Sequence, residues 1–319
     1  MIFIRVLCAH ICLAQYRNSL KGKNNMRKST KKIDLFSIVN ALILSAISLT
    51  CILPVVNLLA ISLSGSGAAA SGVVGLVPKD ITLDAYAMVV DNADFWRAFL
   101  ISVQRVILAI TITTIMTILV AYPLSQSSRI FKARTFYAWF LFIPTLISGG
   151  IIPWYFVLSS LGLVNSVWAF VIPGAVPVFN CFLLSNYMRQ IPKSIIEAAQ
   201  IDGANHMQIL VSVILPMCKP VLATLILFTF VDNWNEWFQG LILMDTPDNY
   251  PLQTYLQVMN RDISGLLGSL SGNIQLYANS SGRSIKAAQI FVAIIPVGAI
   301  YPFLQKYFTK GLVVGSVKE

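Results

Sequence analysis

The sequence predicts an all-α, polytopic membrane protein with six transmembrane helices. Of its 319 residues, 56% are hydrophobic and only 11% are charged, with a mean hydropathy of +0.74, whereas soluble domains carry about 25% charged residues. The apolar residues gather in six long windows, and basic residues lie between them. This composition excludes a soluble enzyme and a disordered chain. The net charge of +10 then indicates membrane orientation, and we expect no nucleic-acid partner.

The windows follow from the thickness of a bilayer. A hydrocarbon core of about 30 Å needs about 20 helical residues at a rise of about 1.5 Å each. Prolines inside the windows predict kinked helices, because neighbouring helices can satisfy the carbonyls that a proline frees. The six predicted spans run approximately over Leu35–Leu63, Val106–Pro123, Phe136–Leu158, Val167–Met188, Leu215–Met244 and Ala287–Phe303.

Charge sets the direction of the spans, because short cytoplasmic loops accumulate Lys and Arg. Eight basic residues lie within 5–32, before the first span, and three each lie within 129–134 and 306–318, after the second and sixth spans. The connection after the first span instead contains four Asp residues, within 80–94. Both termini are therefore predicted in the cytoplasm, as is the connection 189–213 between the fourth and fifth spans.

Residues 1–34 are predicted to form a basic N-terminal segment in the cytoplasm. The apolar stretch Met1–Tyr16 precedes the basic residues of 17–32, whereas a secretory signal has its basic residues first. An interfacial helix is one interpretation of this stretch. The other is that Met26 is the natural start, which would make residues 1–25 an upstream extension without function.

The sequence offers no catalytic or metal-binding constellation. It contains no GxxxxGK[ST] phosphate loop, and its two histidines, His10 and His206, lie far apart outside any metal-binding pattern. The five cysteines form no CxxC and are interpreted as apolar fillers. We therefore expect a chain that is not an enzyme, with no catalytic residue, no metal ligand and no directly bound cofactor.

Two acids, Asp232 and Glu236, are the exception within the apolar windows. Intramembrane acids are candidate functional groups, so one hypothesis is an ion-coupled secondary transporter that uses this pair. The other is that both acids lie near the outer end of the fifth span, where they are solvated or paired with amides.

The connection 189–213 and the residues that follow predict two short helices on the cytoplasmic face. Pro192 suits the first turn of a helix, and apolar residues within 195–199 form a stripe. Gly203 permits the turn that ends this helix, and Pro216 ends the next one at the membrane. By composition alone this is an amphipathic interfacial connector.

The spacing within this segment adds a family resemblance. Glu197-Ala198-Ala199 is followed after three residues by Gly203, and nine residues later by Val213-x-Leu215-Pro216. This pattern resembles the EAA motif of ABC importer permeases, with Val213 where Ile is usual. The resemblance implies a cytoplasmic coupling helix that docks into a groove on an ATPase. The residues it assigns to ATPase coupling are Glu197, Ala198, Ala199, Asp202, Gly203, Leu215 and Pro216.

Further segments sharpen the resemblance, which covers roughly residues 30–319. Residues 95–99, 121–124, 234–237 and 301–311 are similar to maltose-transporter-like permeases of the carbohydrate uptake class. The segment 250–256 resembles the branch for complex oligosaccharides, often labelled lipoprotein-transport permeases. The family implies a bacterial cytoplasmic (inner) membrane protein that pairs with a second homologous permease. It also implies two ABC ATPase subunits that bind ATP and Mg, and an extracytoplasmic solute-binding protein.

The expected domain organisation is one permease domain, residues 35–308, followed by a cytoplasmic tail, 309–319. Its long external loop, 245–286, is interpreted either as a lid that touches the binding protein or the partner permease, or as a packing or disordered loop. The second interpretation rests on its Gly-, Ser- and Asn-rich part, 265–284. Arg105, at the outer start of the second span, is expected to snorkel towards the membrane surface; the alternative is that it pairs with an acid.

A polar and aromatic cluster in the fifth span supplies the candidate substrate path. Aromatic faces and planar amide or carboxylate groups are the side chains that bind sugars. The alternative is an aromatic belt at the membrane boundary, and in the family the partner permease can hold most of the sugar contacts. The candidates are Asn233, Trp234, Asn235, Glu236 and Trp237.

Overall fold

The computed structural model of the chain describes residues 35–266, 282–300 and 302. These residues are predominantly helical, as predicted, and the β-type pairing among them is an isolated bridge between Ser64 and Ile81. They fall into two compact units, one built from residues up to 92 with 263–294 and the other from 93–262 with residues from 295 onward. Each unit is described by itself.

The first unit is built on a long apolar helix. Its helices are α1 (Leu35–Ser62), α2 (Ser66–Ala70), α3 (Asp84–Asp91) and the first part of α15, which runs over Gly282–Ile300. A small core joins the end of α1 to Ala69, Val74 and Ala287. The Ser284 hydroxyl also donates to the Ser64 carbonyl over 3.2 Å. The residues after α1 are therefore tied to the start of α15.

The second unit is organised around one helix of 33 residues, α4 (Ala93–Ser125). Small or hydroxyl-bearing residues recur every three or four positions on its buried face, including Ala98, Ser102, Ala109 and Thr113. Small residues let neighbouring helices approach closely, and α8 and α12 pack against this face. The remaining helices are α5 (Arg134–Leu146), α6 (Ile151–Ser160), α7 (Trp168–Val171), α8 (Val178–Met188), α9 (Lys193–Ile201), α10 (His206–Gln208), α11 (Leu215–Met217), α12 (Lys219–Asn235), α13 (Phe238–Leu243) and α14 (Leu252–Leu266), with a π-helical stretch at Ile209–Ile214 and a 3-10 turn at Pro247–Asn249.

Three of the described helices are long and apolar enough to cross a membrane: Ile38–Ser62, Ala93–Ser125 and Gly282–Ile300. They correspond to the first, second and sixth predicted windows. The second begins at Ala93 rather than Val106, and the sixth begins at Gly282 rather than Ala287. Hydropathy placed these two starts too late because polar residues in the first turns lower the window average.

The third and fifth predicted windows are bent rather than straight. α5 and α6 meet at 117°, and the segment His206–Met217 meets α12 at 80°. Counting each bent pair as one span gives up to five candidate spans among the described residues. The first bend falls where Gly150 adopts a φ of +80°, a backbone conformation that glycine adopts without a steric cost.

The fourth predicted window, Val167–Met188, is not one helix either. It contains only α7 and α8, and the residues between them include Pro173 and Pro177. Proline removes a backbone donor and clashes with the preceding turn, so two prolines in this stretch end one helix before the next begins.

Several predictions fall on residues outside the described ones. These are the N-terminal segment 1–34, the tail 309–319, residues 267–281 of the external loop and most of the segment 301–311. The described beginning of the external loop is ordered into the 3-10 turn and α14. Leu252, Tyr255 and Leu256 are buried there, and the Leu252 N–H donates to the Ser102 hydroxyl of α4 over 2.7 Å.

Candidate functional site

The segment that carries the EAA pattern, residues 192–217, forms two short helices joined by a tight turn. We call it the coupling segment. α9 begins after Pro192 and ends at Ile201, and after Asp202 the chain turns at Gly203, which has a φ of +81°. A capping box starts the next helix. The Gln208 N–H donates to Asn205 Oδ1 over 2.9 Å, and the Asn205 N–H donates to Gln208 Oε1 over 2.8 Å. The predicted helix, turn and helix are therefore present.

One face of this segment packs inward. Ile196, Ala199 and Ala204 are half-buried against a core cluster that includes Met188 and Ile209. Residues three and four positions apart share a face of a helix. Ile196 and Ala199 are three apart in α9, so they pack inward together.

The opposite face is exposed although much of it is apolar. Ile201 is 86% exposed and Met207 60% exposed, and Glu197 and Ala198 are exposed beside them. Exposed apolar side chains next to small residues and a charged one are typical of a docking surface. We call Ile195, Glu197, Ala198, Ile201 and Met207 the exposed coupling face.

The segment is attached to α4 as well as to the helix that follows it. The Tyr122 hydroxyl lies 3.1 Å from His206 Nδ1, and Ala121 belongs to the same core cluster as Ile209. Arg189, just after α8, donates to the Leu124 carbonyl over 2.6 Å. Partial burial and the neighbouring Arg134 guanidinium lower the pKa of Arg189. Sequence reasoning predicted the link to the fifth span and missed this link to the second.

Leu215 and Pro216 lie where the segment passes into α12. Pro216 lies in α11, directly after the π-helical stretch and one residue before the helical segment His206–Met217 ends. Leu215 is half-buried against the core cluster, and Pro216 is exposed. The segment therefore passes into α12 through a packed junction.

The substrate-path candidates do not share one environment. Trp234 is buried, stacks on Phe230 with ring centroids 5.8 Å apart, and meets the edge of Phe99 at 5.7 Å. Asn235 is exposed and donates to the Val231 carbonyl of its own helix over 2.8 Å. Trp234 thus contributes to an aromatic core, and Asn235 caps its own helix.

The remaining candidates lie where α12 ends and α13 begins. Glu236 Oε1 accepts from the N–H groups of Phe238 and Gln239, over 2.8 and 2.9 Å. Trp237 is half-buried, and its carbonyl accepts from the Thr254 hydroxyl over 2.8 Å. Glu236 also lines an open cavity of about 650 Å³ together with Gln239 and Trp154. Sequence reasoning missed Gln239 and Trp154, since neither belongs to a recognisable motif.

The expectation that Arg105 snorkels is wrong. Arg105 is only 2% exposed and lies over the Phe170 ring, with its guanidinium carbon 4.2 Å from the ring centroid. Its Nη2 donates to Gln239 Oε1 over 2.9 Å and its Nε to Asn233 Oδ1 over 3.4 Å. Its Nη1 has no partner among the described residues. Arg105 lies on the buried face of α4 with Ser102 and Ala109, so it turns towards α12 and α13 rather than towards the membrane surface.

Within the described part of the chain, no group of three or more His, Cys, Asp or Glu side chains could hold a metal ion. The two acids of the ion-coupled hypothesis differ in environment. Asp232 is exposed, whereas Glu236 Oε1 accepts hydrogen bonds from two backbone N–H groups.

Comparisons with known proteins identify relatives of this chain. Residues 33–314 match the family described as binding-protein-dependent transport system inner membrane component. Protein LplC of Bacillus subtilis (strain 168) is 34% identical over 290 residues, covering 91% of this chain and 97% of that protein. The polygalacturonan/rhamnogalacturonan transport system permease protein YtcP of the same organism is also 34% identical, covering 85% and 94% of the two chains.

A solved structure is similar throughout its length. A chain of a bacterial ABC transporter involved in the import of the acidic polysaccharide alginate superposes with a TM-score of 0.78 at 30% identity. The match covers 89% of the present chain and 100% of that chain.

Proposed function

The chain belongs to the family of binding-protein-dependent transport system inner membrane components, and we propose that it forms half of a translocation path for a sugar or oligosaccharide. It is a multi-pass permease component of an ABC importer of the carbohydrate class, as its relatives are. The other half of the path is a second homologous permease, and an extracytoplasmic solute-binding protein delivers the substrate. The ion-coupled alternative finds no support among these relatives.

The observation that carries this proposal is the exposed coupling face. Two ABC ATPase subunits would bind ATP and Mg in the cytoplasm, and each permease would dock on one of them. Ile201 and Met207 would enter an apolar groove, Ala198 would allow close approach, and Glu197 would pair with a basic group at the rim. ATP binding closes the ATPase pair and moves this face, and the core cluster and Pro216 pass the movement to α12.

The proposed topology has six spans with both termini in the cytoplasm of a bacterial cell. The three long helices and two bent pairs account for five spans, and α7 with α8 would form the fourth span in chain order. The basic residues within 129–134 support a cytoplasmic end for α4, which is also the end that contacts the coupling segment through Tyr122. Residues 35–308 would form the permease domain, with 1–34 and 309–319 as cytoplasmic ends.

A charge placed on the coupling face tests the proposal. We expect Ile201→Asp to abolish copurification of the ATPase with the tagged permease pair, because the carboxylate would be buried in an apolar groove without a partner. Ile130→Asp is the matched control, since Ile130 is 59% exposed in the connection after α4, outside the coupling segment.

The proposal would be overturned if Ile201→Asp and the control retained the same amount of ATPase. It would also be overturned if uptake of sugar by the purified chain followed a proton gradient without any ATPase present. The first measurement uses the permease pair expressed with an ABC ATPase, and the second uses the purified chain alone.

A further inference from the structure

The open cavity beside Glu236 has the composition of a ligand site. Its volume of about 650 Å³ lies within the range of about 300–1,000 Å³ typical of small-molecule sites. One wall is the bend between α5 and α6, residues 147–151, where two glycines bring the backbone to the surface. The other wall is the start of α13, with Glu236 and Gln239. A few polar groups thus converge on a mainly apolar surface.

The hydrogen bonds around Gln239 fix which of its groups faces the cavity. An arginine side chain only donates hydrogen bonds, so the oxygen of the Gln239 amide must face Arg105 Nη2, 2.9 Å away. The amide nitrogen of Gln239 has no partner among the described residues and remains a donor for a ligand. Arg105 is therefore a positioning residue, and Phe170 beneath it holds its guanidinium in place.

Glu236 is oriented by its own backbone. Both hydrogen bonds from the N–H groups of Phe238 and Gln239 reach Oε1, which leaves Oε2 as an acceptor on the cavity wall. A donor from Gln239 and an acceptor from Glu236 thus stand three residues apart at the start of one helix. Neighbouring hydroxyls of a sugar ring offer the matching acceptor and donor.

Trp154 supplies the apolar surface that the opposite side of a sugar ring needs. It lines the cavity and is anchored by packing against a core cluster that includes Leu158, Phe170 and Leu243. Aromatic side chains present a large rigid face with little conformational freedom to lose on binding. The C–H face of a pyranose can pack on such a ring while its hydroxyls reach Glu236 and Gln239.

We propose that this cavity is a subsite for an uncharged pyranose residue, held by Trp154, Glu236 and Gln239 and shaped by Arg105. The inference rests on the proposed function, that the chain lines a sugar path. The charged side chain on the described wall is Glu236. The Arg105 guanidinium is buried behind Gln239, where its positive charge already interacts with the Glu236 carboxylate. A uronic acid residue would bring a second carboxylate next to Glu236, and like charges brought together disfavour binding. The subsite thus selects a neutral residue, in contrast to the acidic polysaccharide of the structural neighbour.

Saturation-transfer NMR on the complete transporter tests this subsite. The transporter is held in lipid nanodiscs, because sugar-headed detergents would compete with the probes. The probes are the methyl pyranosides of glucose and galactose and the corresponding methyl uronates. We expect saturation transfer to both neutral probes at millimolar concentration and a weaker transfer to both uronates. Gln239→Glu, which keeps the acceptor for Arg105 but loses the donor, should lower the affinity for the neutral probes by about fivefold, the value of one ordinary hydrogen bond.

Paired variants separate recognition from folding. Trp154→Leu should lose the neutral signal and Trp154→Phe should keep most of it, since the second retains an aromatic face. Glu236→Gln should raise the uronate signal relative to the neutral one. Asp84→Asn is the matched control, because Asp84 is an exposed acid in α3 and is absent from the cavity wall, and it should change neither signal.

The subsite is overturned if the neutral probes give no signal, if the uronates bind more tightly, or if Trp154→Leu and Gln239→Glu match the unmodified complex. ATP-driven uptake by the same complex separates this failure from that of the proposed function. A complex that transports sugar but shows any of these results lacks the subsite. A complex that neither assembles with an ATPase nor transports sugar refutes the function itself.

Discussion

Arg105 shows how one buried charge organises the groups around it. Burying an arginine is costly unless its charge and donors are compensated. Here two amide oxygens and an aromatic face provide partial compensation, and one nitrogen stays unpartnered among the described residues. The two hydrogen bonds that Arg105 donates order the groups that accept them. Gln239 and Asn233 are the neighbours whose amide groups it fixes.

Replacing Arg105 by Met separates this role from stability. Removing the buried charge stabilises, and leaving the two amide oxygens unpaired destabilises by about 1–3 kcal/mol each. We expect these effects to offset each other, so the melting temperature of the complex should change by only a few degrees. The apparent KM for sugar uptake should rise several-fold, because Gln239 is no longer oriented.

The lysine variant and a neighbouring control complete this experiment. Arg105→Lys should recover part of the affinity, since an ammonium can still donate to Gln239. Thr113→Val is the control, because among the described residues the Thr113 hydroxyl donates to the Ala109 carbonyl of its own helix and to no other group. An unchanged KM in Arg105→Met, together with a large fall in melting temperature, would mean that Arg105 is merely structural.

At the scale of secondary structure, the turn at Gly203 decides whether the coupling segment keeps its shape. Its φ of +81° is strained for residues with a side chain, although a Cβ at this position would meet no atom within 4 Å. The cost of a substitution is therefore conformational rather than steric, and it depends on how well the new residue tolerates the left-handed region.

Two substitutions at Gly203 exploit this difference. Gly203→Val should lower ATP-driven uptake strongly, because a β-branched residue is a severe outlier at positive φ. Gly203→Asn should retain most of the uptake, because asparagine populates this region more readily than other residues with a side chain. Equal uptake by the two variants, measured with equal amounts of assembled complex, would contradict a structural requirement for the turn.

The secondary structure also shows where sequence reasoning succeeds and where it fails. α9, its turn and the next helix were predictable because Pro192, the apolar stripe and Gly203 are local signals. The size of the bends in the third and fifth windows was not predictable, because a hydropathy window measures composition and not direction. Kinks were expected from the prolines, yet the first bend falls at Gly149 and Gly150.

Some residues of the candidate site were likewise predictable from the sequence, and others were not. Glu236 was predicted from its place in an aromatic and polar cluster, and the structure finds it on the cavity wall. Trp154, Gln239 and Arg105 join it only through contacts between distant parts of the chain, which no motif records. Arg105 did carry one signal, its place on the periodic buried face of α4 with Ser102 and Ala109.

At the scale of the whole molecule, the proposed coupling face is exposed and partly apolar, as a surface that docks on another subunit would be. The link from Tyr122 to His206 ties the same coupling segment to α4, the helix that also carries Arg105. A movement imposed on the coupling face would therefore reach both α12 and α4, the two helices that hold Asn233 and Arg105.

The decisive measurement is sugar uptake into proteoliposomes that contain the chain, its partner permease and the ATPase, with the solute-binding protein outside. We predict uptake of a neutral oligosaccharide that requires ATP and Mg inside the vesicles, requires the binding protein, and is lost in Ile201→Asp but kept in Ile130→Asp. Uptake that persists without ATP and follows a proton or sodium gradient would contradict the assignment of the chain as a permease driven by a partner ATPase.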